Sequence, residues 1–121
     1  TGDALVLFVG SVRWVEEEDH EREVKCDRMA ADRGHAKAQV NMGHCYHIGK
    51  GVAQDYAEAH RYYKMAADQG RTSAEHNLGV MYENGDGVAR DTAEAIRLLE
   101  RAAAKGHENA IHRLARLRNL P

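Results

Sequence analysis

From residue 36 onward, hydrophobic positions recur with a helical period and are interrupted at regular intervals by glycine-rich polar turns. In the stretch 74–82, Ala74, Leu78, Met81 and Tyr82 fall within about 100° of arc at about 100° per residue, the stripe of an amphipathic helix. Asn84-Gly85-Asp86-Gly87-Val88 then reads as a turn, with glycine available for positive φ. Asp91 is placed to cap the next helix, and Glu94 completes a capping-box-like pattern. Asp55 and Glu58 do the same one unit earlier. The second helix carries the stripe Ala95, Leu98, Leu99, Ala102 and Ala103, matched upstream by Ala59, Tyr62, Tyr63, Ala66 and Ala67. Gly34, Gly70 and Gly106 stand where left-handed residues end helices. The pattern predicts helices over 20–33, 36–48, 55–69, 72–84, 91–105 and 108–119.

The period of these features is 36 residues, without an insertion. Ala30-Ala31, Ala66-Ala67 and Ala102-Ala103 keep it, as do Ala38, Ala74 and Ala110. Asn41, Gly43, Tyr46, Gly49, Gly51, Val52, Asp55 and Ala59 match Asn77, Gly79, Tyr82, Gly85, Gly87, Val88, Asp91 and Ala95. Self-similarity at such a spacing defines a repeat protein. It also accounts for 11 glycines in a helix-friendly background, since glycine costs about 1 kcal/mol inside a helix. Gly43 and Gly79 are the two glycines within helices; they flank the buried stripe and are expected to let a partner helix approach closely.

Composition supports the same class. The 121 residues are 30% charged and 43% hydrophobic, a soluble globular profile. One proline and 6% aromatics argue against a β-sandwich.

Residues 74–91, Ala-Glu-His-Asn-Leu-Gly-Val-Met-Tyr-Glu-Asn-Gly-Asp-Gly-Val-Ala-Arg-Asp, closely resemble the Sel-one-like repeat, a relative of the tetratricopeptide repeat. Residues 38–55 carry the motif again. The resemblance covers about residues 20–121. It implies an all-α fold, a right-handed α/α superhelix of about two and a half helical hairpins. It also implies a protein-interaction scaffold, with helices A at 36–48, 72–84 and 108–119. Residues 1–19 read as a degenerate N-terminal cap and 20–121 as the repeat domain. Asp19 holds the cap position 36 residues before Asp55, whereas Gly10 replaces the tyrosine and Leu7 the glycine of a regular helix A. At the other end Arg118 replaces Tyr46 and Tyr82. The stripe Ile111, Leu114, Leu117 and Leu120 is expected to lack a partner helix, which makes weak self-association through it an alternative role.

The net charge of −2 offers no global attraction to nucleic acid or to an anionic membrane, and neither is an expected partner. Residues 1–23 hold seven acids against two bases, and residues 95–121 six bases against two acids. This asymmetry suggests solvated faces, head-to-tail attraction between copies, or an acidic partner at the C-terminal end. Cys26 and Cys45 form no disulfide framework and are expected to act as small buried hydrophobes. The longest apolar run, Ala4 to Val9, is far short of a membrane span.

Catalytic motifs fail on inspection. Gly43 to Gly51 superficially resembles a phosphate loop, but its glycine gap is one residue too long and no Ser or Thr follows Lys50. Some secreted relatives are linked to β-lactam hydrolysis, yet neither Ser11 nor Ser73 begins a Ser-x-x-Lys. No enzyme activity and no cofactor are expected.

The resemblance places one face of each helix A on the concave surface of the solenoid. The candidate peptide- or protein-binding residues there are Lys37, His44 and His47, then Ser73, His76, Val80 and Glu83, then His112 and Arg116. Val40, Ile48, Asn84, Asn109, Asn119 and Leu120 complete the rows. Asn41 and Asn77 lie at the edge, where amides can grip a peptide backbone. The face is histidine-rich, so it offers a polar groove for a peptide or acidic segment that titrates near neutral pH. A metal shared by His44, His47 and His76, or hydrolysis on this face, is the remote alternative.

Overall fold

The computed structural model describes residues 18, 19 and 21–119. Residues 21–32 are helical (α1). Five further helices follow: α2 (Ala36–Ile48), α3 (Tyr56–Asp68), α4 (Thr72–Asn84), α5 (Thr92–Ala104) and α6 (Glu108–Arg118). No strand occurs among the described residues. Each helix from α2 onward packs on its chain neighbours, the nearest-neighbour arrangement of a solenoid.

The caps explain why the B helices, α3 and α5, start and stop one residue inside the predicted limits. Asp55 and Asp91 are extended, with φ −152° and −142°. Their carboxylates accept from the backbone N–H of Glu58 at 3.2 Å and of Glu94 at 3.0 Å. At the other end of α3, Gly70 has φ +81°, which lets its N–H reach the Ala67 carbonyl and the Arg71 N–H reach that of Ala66. Asp55 and Asp91 also donate their own N–H groups to the carbonyls of Tyr46 and Tyr82, so both inter-helix loops close alike.

The core is divided between units by adjacent residues of the B helices. Tyr62 packs with Val24, Ala31, Ala38, Met42 and Cys45, while Tyr63 packs with Ala74, Leu78, Met81 and Leu98. Leu99 turns instead to Ala102, Ala110 and Leu114. One helix thus serves two layers through consecutive side chains. Tyr82 and Ala103 are half-buried at the margins. The helical glycines are close-approach points: a Cβ on Gly43 would stand 2.6 Å from the Tyr63 ring, and one on Gly79 3.0 Å from Leu99 Cγ.

Several expectations change. Asp19 is itself helical together with Glu18, so it does not cap α1; Glu18 pairs with Arg22 one turn on, at 3.9 Å. Cys45 is buried but Cys26 is exposed, on the outward side of α1. The α6 stripe is largely taken up by α5. Leu114 is buried and Leu117 packs beside it, because α6 docks on the preceding B helix with the same face, leaving Ile111 45% exposed. Leu120 and residues 1–17, most of the expected N-terminal cap, lie outside the described residues.

Candidate functional site

The face predicted from the repeat is uneven. On α2, Lys37, Asn41 and His44 are exposed and line neither of the two clefts described below. His47 is half-buried and turned to the loop after α4, with Nε2 3.6 Å from Asp86 Oδ2 and its ring 5.3 Å from that of Tyr56. Val40 packs against the core, and Val80 is half-buried.

The helices α4 and α6 do bring predicted residues together. His76, Asn109, His112, Arg113 and Arg116 line an open, polar cleft of about 480 Å³. At one side Glu83, only 13% exposed, lies 2.9 Å from Arg113 and 3.5 Å from Arg116. Arg116 remains 64% exposed. The same site in the preceding unit would be lined by Val40, Ser73, His76, Asn77 and Val80, with His47 in place of Glu83. The basic character therefore arises where α6 meets α4 and not where α4 meets α2.

His76 forms the floor. Its Nδ1 is 3.1 Å from Asn77 Oδ1, its ring stacks on His107 at 4.5 Å between centroids, and its Nε2 is buried without a partner. Burial holds the imidazole below its ordinary pKa, and the neighbouring His107 and Arg113 push the same way. His107 caps α6, its Nδ1 accepting from the Ala110 N–H at 3.2 Å. Beyond the stack lies a second depression of about 380 Å³, lined by Gly70, Arg71, Thr72, Ser73 and His107. Ser73 therefore belongs to a different recess from the rest of its row. Asn77, expected to grip a ligand, is half-buried and already engaged by His76.

Two cleft-forming residues were missed by the face analysis. Arg113 occupies the edge position of Asn41 and Asn77, so extending that row by one period finds it. His107 occupies the N-cap position of His35 and Arg71, outside the helical stripe. Among the described residues no group of three or more His, Cys, Asp or Glu is placed to hold a metal ion. The metal site considered over His44, His47 and His76 is thus not assembled. None of the described helices is long and apolar enough to cross a membrane.

Stacked helical hairpins with loops of one construction define an α-solenoid repeat protein. The model of the Sel1 repeat matches residues 36–70 and 72–107, and the chain belongs to the Sel1 repeat family. The solved structures it is similar to include a protective antigen of uropathogenic Escherichia coli strains displaying an SLR fold, with TM-score 0.77 and 37% identity over 78% of this chain. A Sel1 repeat protein from Oxalobacter formigenes gives TM-score 0.74 and 33% identity over 78% of this chain. Cysteine rich protein B of Helicobacter pylori gives TM-score 0.69 and 25% identity over 74%. The chain spans 20%, 39% and 67% of those three chains respectively. No significant match is found among curated protein sequences. Sel1 repeats are generally protein-interaction modules, and their fold is typically a non-enzymatic scaffold.

Proposed function

We propose that this chain binds a peptide segment of a partner protein along its helix A face, with the α4–α6 cleft as the principal contact. The observation that carries this reading is the convergence of His76, Asn109, His112, Arg113 and Arg116 from two successive A helices on one recess. Recesses between helices, with a few convergent polar groups, are where bundles and solenoids hold ligands. Exposed Lys37, Asn41 and His44 extend the surface toward the N-terminal side. A surface this short suits weak binding, strengthened where several modules act together.

The test is selection from a random peptide library, followed by amide chemical-shift mapping of an enriched peptide. The expected perturbations fall on residues 73–83 and 109–116. Double substitution of His112 and Arg116 by alanine is expected to weaken binding about ten-fold or more. Peptides that map to another face, or that bind the double variant as well as the parent, overturn the reading.

A further inference from the structure

We propose that the α4–α6 cleft selects a single carboxylate on its ligand, with Arg116 as the receiving group and Glu83 as a built-in counter-charge that sets the preference for one negative charge. The proposal rests on the reading of this cleft as the peptide contact and adds the chemistry that the contact recognises.

The charges that face the recess can be enumerated. Arg113 and Arg116 come from α6 and line it with His76, His112 and Asn109, while Glu83 of α4 stands behind the two arginines and bridges both. Glu83 is nearly buried and pairs most closely with Arg113, itself 29% exposed. That pair fixes Arg113 and consumes one positive charge. Arg116 meets the same carboxylate only at 3.5 Å, and its side chain is 64% exposed, so the two arginines share one negative charge. One cation therefore remains to be matched, beside the amide of Asn109 as a further donor. An arginine guanidinium and a carboxylate form paired, charge-assisted hydrogen bonds that suit such a position.

The counter-charge argues against a phosphate ligand. A phosphoryl group carries about −1.5 to −2 at neutral pH, and its second charge would find no second unpaired arginine, because Glu83 holds Arg113. Without Glu83, two unopposed arginines would favour the dianion. The equivalent recess one unit earlier has Asn77 and Val80 at the two arginine positions and His47 at the glutamate position. Cation and counter-charge occur together at one junction and are both absent from the other. Such a joint change is what a charge-reading subsite requires.

The carboxylate has two sources in a peptide, an acidic side chain or the chain terminus. Four labelled pentapeptides in a glycine background separate them: central glutamate with both ends blocked, central glutamine with both ends blocked, all glycine with a free C-terminus, and central phosphoserine with both ends blocked. Binding is read from amide and side-chain shifts of Asn109, His112, Arg113 and Arg116. The glutamate or the free-terminus peptide is expected to bind about ten-fold more tightly than the glutamine peptide, and at least as tightly as phosphoserine. Whichever of the first two binds identifies the source. Arg116→Gln, at an exposed position, is expected to abolish the difference between glutamate and glutamine. Glu83→Gln is expected to shift preference several-fold toward phosphoserine, with thermal melts confirming that the variant is folded.

Failure of both the glutamate and the free-terminus peptides to bind more tightly than the glutamine peptide overturns the proposal, as does tighter binding of phosphoserine to the parent protein. A library peptide that maps to the cleft but tolerates Arg116→Gln overturns this proposal alone. Absence of any peptide contact in the cleft overturns the functional reading with it.

Discussion

Lys105 Nζ lies 2.7 Å from Glu75 Oε1, thirty residues earlier, and Gln69 donates to Gln39 Oε1 at 2.8 Å across the same separation one repeat before. A buried ion pair and a neutral amide pair thus occupy one structural position in successive units. Glu75 is fully buried, and its other oxygen lies 2.9 Å from Arg101 Nε without an aligned hydrogen bond. Lys105 also donates to the Gly70 carbonyl at 2.7 Å. The pair pins the start of α4 to the end of α5, as the amide pair pins α2 to α3.

Removing one partner leaves an under-compensated buried charge, whereas exchanging both for the neutral pair does not. Lys105→Gln alone is expected to lower unfolding free energy by about 1–3 kcal/mol, less than a wholly buried pair because Arg101 remains. Glu75→Gln with Lys105→Gln is expected to come within about 1 kcal/mol of the parent. Urea unfolding of the single and double variants measures this. Additive losses in the double variant would refute the equivalence of the two pairs.

The two helical glycines are expected to differ in cost. Gly43→Ala drives a Cβ to 2.6 Å from the buried Tyr63 ring, which the core holds in place, while Gly79→Ala meets looser contacts, Leu99 Cγ at 3.0 Å and the Ala95 carbonyl at 3.3 Å. Overpacking costs about 1–3 kcal/mol, so Gly43→Ala should lie at the top of that range and Gly79→Ala at the bottom. Each kcal/mol corresponds to about 4 °C in Tm for a domain of this size. Thermal melts showing the reverse order would contradict the packing described.

Stability should fall on mild acidification. Burial lowers the pKa of His76 and of His60 from the ordinary value of 6.5, so below that value the unfolded chain takes up more protons than the native one. The stabilising contribution is complete above pH 6.5 and is lost as the pH falls toward the lower native values. His76 faces His107, Arg113, Glu83 and Asn77, while His60 lies near Lys64 and 3.1 Å from Tyr82 Oη. His76→Gln is expected to flatten the decline between pH 7 and 5, read from urea midpoints at each pH. An unchanged slope would remove His76 from the account.

The two thiols should separate by reactivity. Cys26 is exposed on α1, whereas burial pushes the Cys45 thiol above its ordinary pKa, and the nearby Asp27 adds to this. Ellman titration of native protein is expected to show one fast-reacting thiol, with the second appearing only on denaturation. Two fast thiols in the native state would contradict the burial of Cys45.

The helical framework was legible in the chain because its determinants are local. Asp55 and Asp91 cap their helices through the next three residues, and Gly70 ends α3 through its own positive φ, so each can be read without a neighbour. The spacing of 36 residues then orders the hairpins, and Ala59, Tyr62 and Tyr63 announce the buried stripe by period alone. Failures occurred where a side chain answers to a distant one. No local signal marks Glu75 as buried, since the groups that meet it, Lys105 and Arg101, come from α5. Cys26 sits on a helix as Cys45 does, and only packing puts one outside and the other in the core.

The candidate binding face divides along the same line. Sequence alone determined the fold class and the repeat period, because these follow from backbone propensity and helical periodicity. Tertiary structure decided that His76, His112 and Arg116 share a recess with Asn109 and Arg113, that Ser73 belongs to another, and that Glu83 tempers the arginines. Those relationships join side chains about thirty residues apart, where distance and desolvation, set by packing between helices, govern what charge the site presents.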